Sequence, residues 1–262
     1  MLTLMLAGLM SAGEAVGQEH EETGKVWDIR LGIGASYHPD YDGSNDYELS
    51  PLPVFSVVYR RIVFLRGPTP MLGANAVSWE VPGGYGKVQL GPLVKYEAGR
   101  RQNDNRALRG LGDIDRGIEA GGFVVWRDRP WSGGLIVLQD VLDSHSGLTA
   151  RLDAGLGFRM TPEVRGSMIA WATWADGDYM SSFFGVTPAQ AARSGLRQHR
   201  AGAGFKEIGL AVRAEYSFTD HWGVGSRVSY HRLLGDAATS PIVRDRGSAD
   251  QFTVSLYVSY RF

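Results

Sequence analysis

Alternation with a period of two, sustained over unusually long runs, constrains this chain more than any other feature. From Phe252 the even positions are Phe252, Val254, Leu256, Val258, Tyr260 and Phe262, while Gln251, Thr253, Ser255, Tyr257, Ser259 and Arg261 occupy the odd ones. Such a pattern is a strand with an apolar face and a mostly polar face. It recurs in Leu148–Phe158 and Ile208–Phe218, and near the start in Trp27, Ile29, Leu31, Ile33, Ala35 and Tyr37. Runs of this length exceed the mode of about 5–6 residues in globular strands and match the ~9–11 needed to cross a bilayer at a tilt. No apolar run reaches the length of a membrane helix. Mean hydropathy cannot exclude a β-barrel, because alternation hides the apolar face in the average.

Marking every comparable segment predicts an all-β fold. It is a single antiparallel transmembrane barrel of about twelve strands, at 26–37, 51–59, 61–66, 72–80, 86–99, 116–128, 131–140, 147–160, 163–175, 203–218, 221–233 and 250–262. The connections alternate long and short, with 38–50, 100–115, 141–146, 176–202 and 234–249 as the long ones. Long extracellular loops and short periplasmic turns are the asymmetry of outer-membrane barrels. Only 67–71 is short where a long loop is expected, in the region crowded by Pro51, Pro53, Pro68 and Pro70. Trp27, Trp79, Trp126, Trp131, Phe158, Phe218, Trp222 and Phe262 fall at the predicted periplasmic ends, as an interfacial girdle requires. Tyr37, Trp174 and Tyr230 fall at the outer girdle.

The first 25 residues read differently. The apolar stretch Leu2–Met10, followed by small residues, predicts a signal peptide over 1–17 that lacks the usual basic start. Residues 18–25 form a polar tail before a barrel domain over 26–262. With 27 Lys and Arg against 28 Asp and Glu, the chain lacks the basic surplus of a nucleic-acid binder. The absence of cysteine excludes disulfides and thiolate metal sites.

The phase that turns apolar residues outward turns charges inward: Arg30, Lys95, Glu97, Glu119, Arg151, Asp153, Arg159, Arg165, Glu207, Arg213, Glu215, Arg227 and Arg261. An Arg or Lys facing lipid at the midplane would cost ~2–4 kcal/mol, whereas charges across a lumen can pair. Two readings stand: a filled, cross-linked interior, or a narrow selective path. Twelve strands lie between the filled small barrels and the open porins.

Three loop segments carry a family resemblance. The first loop holds Tyr37-His38-Pro39-Asp40-Tyr41-Asp42-Gly43-Ser44 and then Pro51-Leu52-Pro53. The longest holds Ser182-Phe183-Phe184-Gly185-Val186-Thr187 with Gln190-Ala191 and Ser194-Gly195. The last holds Leu233-Leu234-Gly235-Asp236-Ala237-Ala238-Thr239-Ser240-Pro241-Ile242-Val243, then Gly247-Ser248 and Gln251. In this order, over nearly the whole mature chain, they resemble the MltA-interacting protein / OmpV family of Gram-negative outer-membrane proteins. The resemblance implies residence in outer-membrane lipid. It also implies a scaffold that holds a lytic transglycosylase near a peptidoglycan synthase, without a cofactor.

Other motifs have plainer readings. Asp40, Asp42, Asp46 and Glu48 are rich in oxygen but lack the ordered ligand spacing of a calcium loop, so Pro39 and Asp42-Gly43 are read as turn formers. Thr187-Pro188 opens a short helix as N-cap and first position. With Phe183-Phe184 before it, that helix is either a plug in the mouth or a surface element. The hydrolase candidates are Asp143-Ser144-His145 and the set Ser229, His231 and Asp236. The expected function is a non-enzymatic scaffold. A narrow solute channel is the alternative, and a hydrolase at the rim ranks third.

Overall fold

The computed structural model describes residues 26–262; the expected signal peptide over 1–17 and polar tail over 18–25 lie outside the described residues. The strands are β1 (Trp27–Pro39), β2 (Tyr47–Tyr59), β3 (Val63–Arg66), β4 (Met71–Ala74), β5 (Val77–Glu80), β6 (Lys87–Glu97), β7 (Gly117–Asp128), β8 (Trp131–Asp140), β9 (Leu148–Arg159), β10 (Val164–Ala175), β11 (Gly204–Ser217), β12 (Trp222–Leu233) and β13 (Asp250–Arg261). Each pairs antiparallel with its chain neighbour, except that β4 and β5 lie end to end along β6. β1 pairs with β13, and the β4–β6 contact closes the ring. Thirteen segments therefore make a closed barrel of twelve staves. The run expected to be one strand over 72–80 is one stave interrupted at Asn75-Ala76, where Ala76 N–H still reaches Leu90 O at 2.9 Å.

Leu31, Ile33, Leu152, Ile208, Val228, Phe252 and Leu256 are exposed on the outer wall, the belt that acyl chains cover. Among the described residues no helix is long and apolar enough to span a membrane. The girdle is paired: Trp27 packs on Tyr59 at 4.6 Å and Trp222 on Tyr260 at 5.0 Å at one end, with Tyr37 stacked on Tyr47 at 5.2 Å at the other.

The prolines explain the anomalous 67–71 connection. β3 pairs only with Ser56–Tyr59 of β2, and residues 67–70 turn the chain back at that level as a stunted hairpin. β2 starts earlier than expected, at Tyr47 rather than residue 51, so its outer part has a ladder partner on the β1 side alone. Phe55 O accepts from Gly67 N–H at 3.0 Å, so odd positions of β2 direct their backbone groups to the vacant edge. Pro51 and Pro53 share that parity. Their missing N–H groups are the ones that would have been left without partners in the wall, and they blunt the edge against strand addition.

Candidate functional site

The extracellular mouth is where the three family-like loop segments meet. Residues 176–202 contain α1 (Gly177–Phe184) and α2 (Pro188–Ser194), and the last loop contains α3 (Gly235–Thr239) and α4 (Pro241–Arg244). Asp176 caps α1 by accepting from Tyr179 N–H, and Thr187 with Gln190 makes a capping box on α2. The plug is α1, which the sequence reading did not anticipate; it buries Tyr179, Met180, Phe183 and Phe184. α2, expected as plug or surface helix, buries none of its residues and lies on the outside.

One apolar cluster joins Tyr179, Met180, Phe183 and Phe184 to Ile114, Ala175, Leu233, Ala237 and Val243. A second joins Tyr41 to Leu108, Leu111, Val186, Leu196 and Ile242. All three family-like segments thus share packed side chains. Polar contacts lock them. Ser240 Oγ donates to Phe184 O at 2.6 Å and caps α4, and Arg100 donates to Phe183 O at 2.6 Å. Gly43 N–H donates to Gln251 Oε1 at 3.1 Å, and Gln251 Nε2 donates to Ser44 O at 3.0 Å. Gly185 ends α1 with its N–H on Ser181 O, Asp236 accepts from Gly202 N–H, and Pro241 opens α4. The acidic first loop is consumed internally: Asn105 donates to Asp40 and Asp46 at 2.6 and 3.0 Å, and Lys206 to Asp42 at 2.8 Å. No group of side chains fit for a metal ion occurs among the described residues.

Two expected outcomes follow from this packing. Gly43 has φ +96°, and a Cβ there would stand 2.5 Å from Val243 Cγ2. Gly43→Ala is therefore expected to loosen the mouth by about 1–3 kcal/mol, read as a lower denaturant midpoint for tryptic cleavage of the 176–202 loop. Burial is the main reason the Tyr41 phenol is pushed up to about 12, with the Asp40 carboxylate adding to it. The neutral phenol belongs to the folded mouth, so its contribution is complete below the ordinary tyrosine value near 10 and disappears as pH climbs through about 12. Ultraviolet absorbance of tyrosinate should show this residue ionising last, together with Tyr179, whose pKa burial also raises.

Below the plug the lumen is divided. Phe64, Met71, Leu93, Phe123, Val125, Ile136 and Leu138 project inward from β3, β4 and β6–β8 and pack into an apolar mass. Ionic pairs line the rest of the interior, at the outer ends of β6 and β7 and on β9–β11. Lys95 donates to Glu119 at 2.6 Å and to Glu97 at 3.2 Å, and Arg151 to Asp153 at 3.0 Å while covering the Trp171 ring at 4.6 Å. Lys206 lies 2.9 Å from Glu207, which also accepts from Trp171 and Thr173. Lys206 is the extra residue of a bulge opposite Thr173/Trp174, which turns two consecutive charges inward and breaks the simple alternation. Arg30 and Arg213 reach Glu215, and Arg213 also bonds Tyr257. Arg159 stands opposite Arg165, and Arg227 opposite Arg213. A cavity of about 20 Å³, room for roughly one water, is bounded by Asp42, Arg151, Trp171, Lys206, Glu207, Arg227, Ser229 and His231.

Neither hydrolase candidate assembles. Ser144 donates to Asp140 and His145 Nδ1 accepts from Gly147 N–H, so this hydroxyl and imidazole are turned to different partners. His231 Nε2 faces Glu207 at 3.9 Å and Asp42 at 4.0 Å, and Asp236 is engaged with Gly202.

Comparison with known proteins agrees with this anatomy. The family described as MltA-interacting protein MipA matches residues 31–262. The MltA-interacting protein of Escherichia coli K12 is 25% identical over 267 residues, covering 100% of this chain and 99% of that protein. Outer membrane protein OmpV of Vibrio cholerae is 33% identical over 93 residues, covering 36% of this chain. Outer membrane protein Omp26La of Vibrio anguillarum matches to the same extent, and the matched region spans about a third of the length of these two relatives (34%). Among solved structures, an outer membrane channel from Pseudomonas putida F1 aligns with a TM-score of 0.48 at 11% identity, over 94% of this chain and 100% of that one. A family match over nearly all of the described barrel, a closed antiparallel wall and outer-membrane relatives lead to one assignment: the chain is an outer-membrane β-barrel belonging to the MltA-interacting protein family.

Proposed function

We propose that this protein is a non-enzymatic envelope scaffold that holds a lytic transglycosylase beside a peptidoglycan synthase. The observation that carries the reading is the packed mouth, with Met180 and Phe184 of α1 each 1% exposed among the interlocked loops. A barrel stopped by a packed apolar lid above a half-apolar lumen has little to offer a passing solute. Its rigid wall and short periplasmic turns are suited to presenting a fixed surface. The full-length relative in Escherichia coli bears the name of an interacting protein, which supports a transglycosylase as partner. The synthase is the second half of the same proposal.

Two measurements test it. In planar bilayers the purified barrel should give no steady single-channel current; a saturable conductance would instead make it the narrow solute channel. From detergent extracts the tagged protein should retain a lytic transglycosylase and a peptidoglycan synthase. Recovery of neither would remove the scaffold reading.

A further inference from the structure

Three strands and the first loop bring charged side chains to one enclosed point of the lumen. Asp42 comes from the connection between β1 and β2, Arg151 from β9, Lys206 and Glu207 from β11, and His231 from β12; with Arg227 they bound the cavity of about 20 Å³. Most of their bonding capacity is used within the protein. Lys206 holds Asp42 Oδ2 at 2.8 Å and Glu207 Oε2 at 2.9 Å, Trp171 and Thr173 donate to Glu207 Oε1, and Arg151 Nε donates to Asp153. Two donors are left over. Arg151 and His231 are 4% and 7% exposed, and Arg151 Nη2 and His231 Nε2 are buried without a hydrogen-bond partner among the described residues. A buried donor left unsatisfied carries the full cost of its lost hydration, so each calls for an acceptor. His231 Nε2 lies 4.0 Å from Asp42 Oδ1 and 3.9 Å from Glu207 Oε2, too far for direct hydrogen bonds.

We infer that this cavity is a binding site for one water molecule, and that this water ties the first loop to β9 and β12. Size, spacing and charge point to the same occupant. A water needs at least ~10–15 Å³ of such space, so the cavity takes one and not two. Separations near 4 Å are those of groups bridged by water, because two bonds of ~2.8 Å meeting at roughly 90° span them. A water centred there accepts from Arg151 Nη2 and His231 Nε2 and donates to Asp42 Oδ1 and Glu207 Oε2, so all four of its bonding positions are used. Glu207 Oε2 has a second lone pair for this beside the one that takes Lys206. An inorganic cation would stand among Lys206, Arg151 and Arg227. An anion within reach of His231 would also be within reach of both carboxylates. A neutral molecule that both donates and accepts avoids either like-charge contact. The latch on the first loop is therefore direct through Lys206 and hydrated through His231. The loop cannot lift from the wall here without opening both, so its release and the release of the water are one event.

A crystal structure of the detergent-purified wild-type barrel, at a resolution that shows ordered water, tests the occupant. One spherical density is expected within ~3.2 Å of His231 Nε2, Arg151 Nη2, Asp42 Oδ1 and Glu207 Oε2, without anomalous signal after separate soaks in bromide and rubidium. Bromide signal would make this an anion site and rubidium signal a cation site; either one, or a cavity without density, would overturn the inference. The tie itself is tested in His231→Phe, which keeps an aromatic ring and removes the donor, with folding verified by heat-modifiable gel mobility. The Gly43 amide follows Asp42 and donates to Gln251 at 3.1 Å. Its hydrogen exchange should become at least about tenfold faster, while the amides of the β11–β12 ladder keep their rates. His231→Gln, whose amide still donates toward the water, should stay close to the wild-type rate. A Gly43 rate unchanged in His231→Phe, or raised as much in His231→Gln, would show that no water held by His231 secures the loop.

Discussion

Phe184→Ala is expected to open the lid while leaving the barrel standing. Phe184 is 1% exposed in the cluster that ties α1 to α3, α4 and the end of β12. Truncating a buried phenylalanine costs ~3–5 kcal/mol through lost transfer energy and the cavity left behind. That loss falls on the lid alone, because the wall is held by its own ladders and by the separate apolar cluster around Phe64 and Phe123. Converted to an equilibrium, even ~3 kcal/mol raises the open population more than a hundredfold. Trypsin should then cleave after Arg193 or Arg197 at least a hundred times faster, with heat-modifiable mobility unchanged. Similar cleavage rates in variant and wild type would mean that the loops do not act as one packed unit. Because the apolar mass still narrows the lumen beneath, current through this variant should stay far below that of an open porin.

Lys206→Met is the substitution expected to harm stability most. The Lys206 ammonium is buried at 2.8 Å from Asp42 and 2.9 Å from Glu207, so it holds the first loop to the wall through one cation shared by two carboxylates. Removing one partner of a buried ion pair destabilises by ~3–5 kcal/mol, since the remaining charge is left uncompensated. Here two like charges remain. The urea midpoint of the folded barrel should fall by an amount in that range. Asp42→Asn introduced into the Lys206→Met background should recover part of the loss, because one of the stranded anions is gone. Purely additive single and double effects would show that the three groups are not coupled.

These two sites mark the boundary between what could be read from the chain and what could not. Lys206 was absent from the predicted lumen-facing charges because it sits out of phase with Glu207, and only the bulge against Thr173/Trp174 turns both inward. Phe183 and Phe184 were recognisable as a motif, yet the helix that buries them was not. α1 is short and its apolar residues come into register with the mouth only when Ala175 and Leu233 are already in place. The stunted hairpin left a trace as four prolines around an unexpectedly short connection, but its physical meaning required the parity of Phe55 and Gly67 across the vacant edge.

The period-two alternation by itself determined the strand phases, the lipid-facing belt, the alternation of long and short connections and the charged character of the inner surface. Each of these depends on a residue and its near neighbours along a strand, where the side-chain direction reverses at every step. Tertiary structure alone decided which charges neutralise one another, where cations stand face to face, and that the loops at the mouth pack into one apolar cluster. Those properties depend on contacts between Asp42 and Lys206, Ser240 and Phe184, or Arg30 and Glu215, pairs 56 to 185 residues apart in the chain. No local pattern encodes such separations; barrel closure creates them.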